Sequence, residues 1–194
     1  MFHRALVRGG VNLHYSQGFN PRPKLSLPLP RSVGVQSDEE LLCVSLSETA
    51  NNLEPDRLKD QMSSQLTHGC EIIEVDIKKG KVSFQPVSAE YVFDLSNLAN
   101  VEDTKICIDI IRKAAAAEKP IIVERQSGNK KPNRRIDVCP YIDSIKYQNR
   151  GVIVRCNITP AGSVRVDEIL TLLKIEPAML SGPVKRRAVQ WRQN

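Results

Sequence analysis

The residues of this chain best equipped to recognise a ligand lie in "HYSQGFNPRPKLSLPLP", His14 to Pro30. Arg22 and Lys24 can pair with phosphate oxygens, the guanidinium through two donors at once. Gln17 and Asn20 carry amides able to read base edges or sugar hydroxyls, and Tyr15 and Phe19 carry faces on which a base can stack. The same two rings would serve equally well as core side chains beneath a strand crossover. Four prolines in seventeen residues restrict φ and reduce the entropy lost in ordering, where a flexible linker would use Gly and Ser. Such a loop is built to present side chains, and its mixture of groups suits a single-stranded or structured RNA.

Charge along the chain supports a polyanion partner. The protein has 194 residues and a net charge of +6, but Met1–Ser37 holds five Lys or Arg and no acid, residues 38–118 hold sixteen acids against eight bases, and residues 119–194 hold fifteen bases against six acids. Segregation of this kind is the footprint expected of nucleic-acid binding. Two further basic elements stand out: "RQSGNKKPNRR", in which Lys130, Lys131, Arg134 and Arg135 surround loop-forming Gly128 and Pro132, and "KRRAVQWR", with Lys185, Arg186, Arg187 and Arg192. With only nine aromatic residues in the chain, affinity must rest mainly on phosphate contacts.

No catalytic residue is assigned. The histidines His3, His14 and His68 lack the neighbours of a nucleophile or metal centre, although His14 adjoins the proline-rich loop and could act as a general base. Cys43, Cys70, Cys107, Cys139 and Cys156 include no C-x-x-C pair and are expected as reduced thiols, so neither a metal nor another cofactor is expected in this chain. There is no Gly-rich phosphate loop, no dinucleotide fingerprint, no membrane-length apolar run and no signal-like N-terminus, which predicts a cytoplasmic protein without membrane partners.

The elements around these residues repeat. Met1 to Gly9 has helical spacing ended by Gly9-Gly10, Val11–Tyr15 reads as a strand, Leu25, Leu27 and Leu29 share one face of another, and "LLCVSLS" alternates as a third. A helix from Pro55 carries Leu58, Met62 and Leu66, and "EIIEVDI" reads as the next strand. After a linker, Tyr91, Phe93 and Leu95 alternate, Asn100 caps a helix with Ile106, Ile110, Ile111 and Ala114, "IIVERQ" and "GVIVRCNI" are strands separated by an excursion through "RRIDVCPYIDSIKYQ", a helix follows near Ser163, and "PVKRRAVQW" closes. The predicted class is α+β, with tandem ferredoxin-like (split βαβ) units. Residues 1–81 would form the first, lacking its opening strand through truncation or a late start, and residues 88–194 the second.

The run Tyr15-Ser16-Gln17-Gly18-Phe19-Asn20-Pro21-Arg22-Pro23-Lys24, with Leu25-Ser26, Pro28-Leu29-Pro30 and Val33-Gly34-Val35, closely resembles the radical-SAM-linked protein family, a bacterial domain of unknown function. Weaker similarity extends through "RRIDVCPYI" and the helix after Gly162. Members are fused to, or encoded beside, cobalamin-type radical S-adenosylmethionine proteins and lie beside ribonuclease E/G. They usually carry a further strand and a Ser-His-Leu-Asp-type turn ahead of "FHRALVRGG", which this chain lacks. The resemblance implies an RNA-binding accessory domain that presents tRNA, rRNA or another RNA to a radical SAM protein and has no chemistry of its own. A metal-independent endoribonuclease-like domain and a protein-docking module without RNA contact are the alternatives.

Overall fold

A computed structural model describes residues 1–47, 54–125 and 132–194. In chain order the elements are α1 (Phe2–Arg8), β1 (Leu25–Ser26), β2 (Val35–Ser37), β3 (Cys43–Val44), α2 (Pro55–Ser63), β4 (Phe84–Asp94), α3 (Glu102–Ala116), β5 (Ile122–Arg125), β6 (Arg134–Asp137), β7 (Ile142–Gln148), β8 (Gly151–Asn157), α4 (Val166–Leu172) and β9 (Val184–Gln193). The class is α+β, divided into two units. One comprises Met1–Pro28, Leu41–Ser83 and Gln193–Asn194; the other comprises Leu29–Glu40 and Phe84–Arg192.

The first unit gathers a small core. Ala5 and Leu6 sit adjacent on α1, and Leu58 and Met62 are one turn apart on α2; each pair buries against Val11 and Leu13. Pro55 opens α2, where its missing N–H costs nothing. β1 pairs antiparallel with β3, Leu25 opposite Val44, and Leu13 bridges Leu46. Val11–Tyr15 therefore contributes isolated bridges rather than a regular strand. "EIIEVDI" departs further from expectation: among the described residues it has no ladder partner and forms no strand. Ile72 and Val75 lean on the core while Ile73 remains exposed, because alternation alone cannot make a strand where no neighbouring edge offers N–H and C=O groups.

The second unit is built on a five-stranded sheet in the order β2-β9-β4-β8-β7. Phe93, Leu95, Val152, Val154 and Cys156 supply its buried side chains, covered by Ile108 and Ile111 of α3 and by Ile169 together with Leu173 just beyond α4. The Asn100 side chain accepts from the Glu102 amide at the start of α3. The buried stripe on that helix is Thr104, Cys107, Ile108 and Ile111, which leaves the expected Ile106 and Ile110 exposed. β7 and β8 are joined by a two-residue hairpin in which Asn149 and Arg150 both have positive φ. Gly151 follows where a Cβ would lie 2.7 Å from the Phe93 carbonyl oxygen. The strand expected at "IIVERQ" is β5, but it pairs with β6 in a separate two-stranded ribbon. Its expected place beside β8 is taken by β7, whose register shifts between Ile142 and Ser144. That bulge sends Ile142 and Ile145, three apart, to the same buried side.

Two ion pairs hold the second unit's irregular segments. Arg186 of β9 is only 2% exposed. Its Nη2 donates to both Glu40 carboxylate oxygens at 2.5 and 2.6 Å and to the Leu29 carbonyl at 2.7 Å. Those contacts commit Leu29–Glu40 to this sheet, with β2 running parallel to β9. Arg125 at the end of β5 donates to both oxygens of buried Glu168 on α4, at 2.6 and 2.8 Å, and to the Ser163 carbonyl. Glu168 also accepts from the Arg165 amide at 2.8 Å, capping the helix start. Burial pushes the Glu168 carboxyl up, but the bonds from Arg125 and the Arg165 amide outweigh it and hold the group below its ordinary value.

Two stability predictions follow from these pairs. Glu40→Ala strands a buried guanidinium and should cost about 3 kcal/mol, whereas Arg186→Met leaves behind only a carboxylate that can hydrate and should cost about 1 kcal/mol; urea midpoints of the two variants decide the order. Because the Glu168 carboxyl is depressed on folding, its contribution is complete above its unfolded value and is lost as pH falls through the folded one. Unfolding free energy should therefore drop below about pH 4, and Glu168→Gln should flatten that limb in a pH series of denaturant melts.

Candidate functional site

The segment from His14 to Lys24 folds back on itself as a narrow hairpin within the first unit. The Lys24 amide donates to the His14 carbonyl at 2.7 Å and the Ser16 amide to the Arg22 carbonyl at 2.8 Å. Tyr15 bridges Pro23 between them. The Arg22 amide is satisfied by the Ser16 hydroxyl at 3.0 Å, and Pro23 needs no partner because it has no N–H. The hairpin is anchored at its base, where the His14 amide donates to the Ser45 carbonyl and the Ser45 amide donates to that of Lys24, both at 2.8 Å. Gly18 turns the tip at φ +126°, a region L side chains rarely adopt.

This backbone places the candidate residues at the surface. Gln17, Asn20, Arg22 and Lys24 are all exposed, and no acid lies within Met1–Ser37. Among the described residues the side chains of Gln17, Asn20 and Arg22 have no hydrogen-bond or ionic partner. Lys24 Nζ lies 3.5 Å from His14 Nε2. Tyr15 is 37% exposed and meets His3 edge-on, with ring centroids 6.4 Å apart. Phe19 is 106% exposed, so it buries no surface against the protein. The sequence left this ring between surface and core; its position between Gly18 and Asn20-Pro21 was the available signal, since turn residues on both sides put it at a loop tip.

The other basic elements divide. Arg134 and Arg135 lie on β6, exposed and without an ionic partner among the described residues, whereas Lys130 and Lys131 lie outside the described residues. On β9 three members of the expected cluster are internally committed, Lys185 to Asp38 at 3.3 Å, Arg187 to Glu90 and buried Arg186 to Glu40, while Arg192 is exposed and has no ionic partner among the described residues. Arg186 in particular is not available to a ligand. A groove between α3 and β7, of about 770 Å³, also draws its cation inward, since Arg112 Nε donates to the Ile145 carbonyl at 2.9 Å.

Nothing at the hairpin offers an activated nucleophile. Burial raises the thiols of Cys43 and Cys139 and pushes that of Cys156 up to about 12, which keeps all three in the protonated, unreactive form. Among the described residues no three His, Cys, Asp or Glu side chains gather as a metal site, and no helix is long and apolar enough to cross a membrane.

What fold and surface define together is an α+β protein that displays a braced, acid-free hairpin bearing amides, cations and one bare ring. The chain belongs to a bacterial family of uncharacterized conserved proteins (DUF2344), whose family model matches residues 1–169. No curated protein matches it.

If the hairpin is held by its tip geometry, Gly18→Ala should loosen it. A cost of about 1–3 kcal/mol is expected for the strained φ, read as faster amide hydrogen exchange at Ser16 and Lys24 with exchange at β8 amides unchanged.

Proposed function

We propose that this protein is an RNA-binding accessory domain that works with a radical SAM RNA-modification enzyme and performs no chemistry of its own. The observation that carries the reading is the hairpin, where Gln17, Asn20, Arg22 and Lys24 project from a braced backbone within a stretch, Met1–Ser37, whose sequence holds no acid. Phosphate contacts from the two cations would set position while the amides would read bases or sugar hydroxyls. The radical SAM partnership rests on the resemblance of Tyr15–Lys24 to the radical-SAM-linked family, and a cytoplasmic setting on the sequence's lack of a membrane-length apolar run or signal-like N-terminus. Arg134 and Arg135 of β6, in the second unit, are a further candidate phosphate contact, and the RNA is of the tRNA or rRNA class.

The architecture we infer for the second unit is ferredoxin-like. Setting aside β2 and the β5–β6 ribbon, the chain runs β4, α3, β7, β8, α4, β9, and the sheet places these strands as β9-β4-β8-β7, the arrangement of a split βαβ unit.

One contact favours a second reading, metal-independent RNA cleavage. An imidazole nitrogen beside an ammonium group, as at His14 and Lys24, could pair a general base with a cation that stabilises a developing phosphorane charge. Cleavage of bound RNA in chelator, abolished by His14→Ala, would select it.

The accessory reading is tested by fluorescence anisotropy with labelled RNA over a salt series and by crosslinking in cells. Arg22→Ala with Lys24→Ala should reduce the magnitude of the slope of log K against log salt by about 1.4, the share of two phosphates on a single strand. Gln17→Ala with Asn20→Ala should blunt sequence preference and leave that slope in place. An RNA and a radical SAM protein should crosslink together; recovery of the protein alone would overturn RNA binding in favour of a docking role.

A further inference from the structure

Phe19 is the feature of the hairpin that phosphate and amide contacts leave unexplained. Its ring stands free of the protein, yet the backbone beneath it is ordered by Gly18 at positive φ, by the prolines at 21 and 23 and by the reciprocal Ser16–Arg22 bonds. Chain entropy is thus lost to hold an apolar ring in water, which is unfavourable unless something covers the ring. The neighbours restrict what that is. Exposed amides at Gln17 and Asn20 lie two and one residues from it, and exposed cations at Arg22 and Lys24 three and five residues on in the same hairpin, so an occupant must pair an apolar face with polar edges and a negative backbone. A nucleobase on its phosphate chain meets all three conditions.

We infer that Phe19 is the stacking contact of this site, and that it selects RNA presenting an unpaired base over continuous duplex; the inference rests on the RNA-binding reading above. A hairpin tip with one ring can hold one base face. In a duplex both faces of every base are already covered, and exposing one costs about as much as a single stack returns. A base already unpaired avoids that cost. The hairpin also sets a footprint. Arg22 and Lys24 stand three and five residues from the ring, at most about 10 and 17 Å along extended chain, and a stacked strand advances about 3.4 Å per nucleotide. The stacked base and the contacted phosphates should therefore lie within about five nucleotides of one another.

The test uses the full chain and two blunt-ended RNA duplexes of the same sequence, one carrying a single bulged fluorescent purine analogue and one with the analogue fully paired. The parent should bind the first about 5- to 100-fold more tightly, the range one base-on-ring stack spans, and should quench the analogue. Phe19→Ala should bring the two affinities close to parity, abolish quenching and keep both the parental melting temperature and the salt slope, since the ring packs against nothing. Phe19→Trp should restore the preference. If Phe19→Ala binds RNA and keeps the parental preference, the stacking role is overturned while RNA binding stands. If the parent binds neither duplex at low salt, RNA binding itself falls, and capture by phosphatidylserine vesicles in that case would reassign the ring to a membrane surface.

Discussion

Arg186 and Glu40 make the interaction on which the second unit's outer edge depends. A guanidinium with almost no solvent contact must find acceptors, because an unpaired buried charge is among the costliest groups a fold can hold. Glu40 supplies two carboxylate oxygens and Leu29 a carbonyl, so the two ends of the Leu29–Glu40 segment are both tied to one side chain. Between them, β2 has only three residues, Val35 to Ser37, and lies parallel on β9. A strand that short gains little from its own ladder. The pair also reaches inward: burial pushes the Tyr91 phenol up, and the neighbouring guanidinium partly opposes that shift. Arg186 Nε has no hydrogen-bond partner in its buried position, which makes the environment unforgiving of any further loss.

The same pair explains why a basic run in sequence need not be a basic surface. In "KRRAVQWR" successive side chains alternate across β9. Arg186 turns inward to Glu40, while Lys185 meets Asp38 and Arg187 meets Glu90 on the exposed positions. All three acids come from the stretch where acids outnumber bases, so charges segregated along the chain are intermixed in space. Linear charge counts report composition, and only pairing geometry tells which cations remain for a ligand.

How legible each element was depended on whether its signal was local. The helix from Pro55 and the strand ending at Leu95 announced themselves through a proline at the first turn and strict alternation. Asn100 was readable as a cap because its side chain acts two residues away. The phase of α3 was misjudged because Ile106 and Ile110 are as apolar as the buried Ile108 and Ile111, and only tertiary packing distinguishes the two faces. β7 was hidden by its bulge, which breaks period-two alternation between Ile142 and Ser144. "EIIEVDI" failed in the opposite sense, with the right pattern and no partner. The hairpin was legible as a stiff presenting loop from its prolines and glycine, but the state of Phe19 was not, since a ring serves a core and a ligand through the same apolar surface.

The contrast between β9 and the hairpin shows where cationic side chains stay unpaired after folding. Lys185, Arg186 and Arg187 of β9 have acids within reach from β4 and from the residues after β2, and each is paired with one of them. Arg22 and Lys24 project from a hairpin whose own sequence and whose neighbours in Met1–Ser37 contain no carboxylate, and the backbone there is satisfied by Ser16, His14 and Ser45 without drawing on any charge. A loop that closes its backbone hydrogen bonds through backbone and one hydroxyl leaves Gln17, Asn20 and Arg22 uncommitted, with Lys24 facing only the His14 ring. Folding pairs Lys185, Arg186 and Arg187 of the denser basic run with acids and leaves Arg22 of the sparser one without an ionic partner among the described residues, so a linear count of positive residues misorders the two elements by uncommitted charge, and the position of acids explains why.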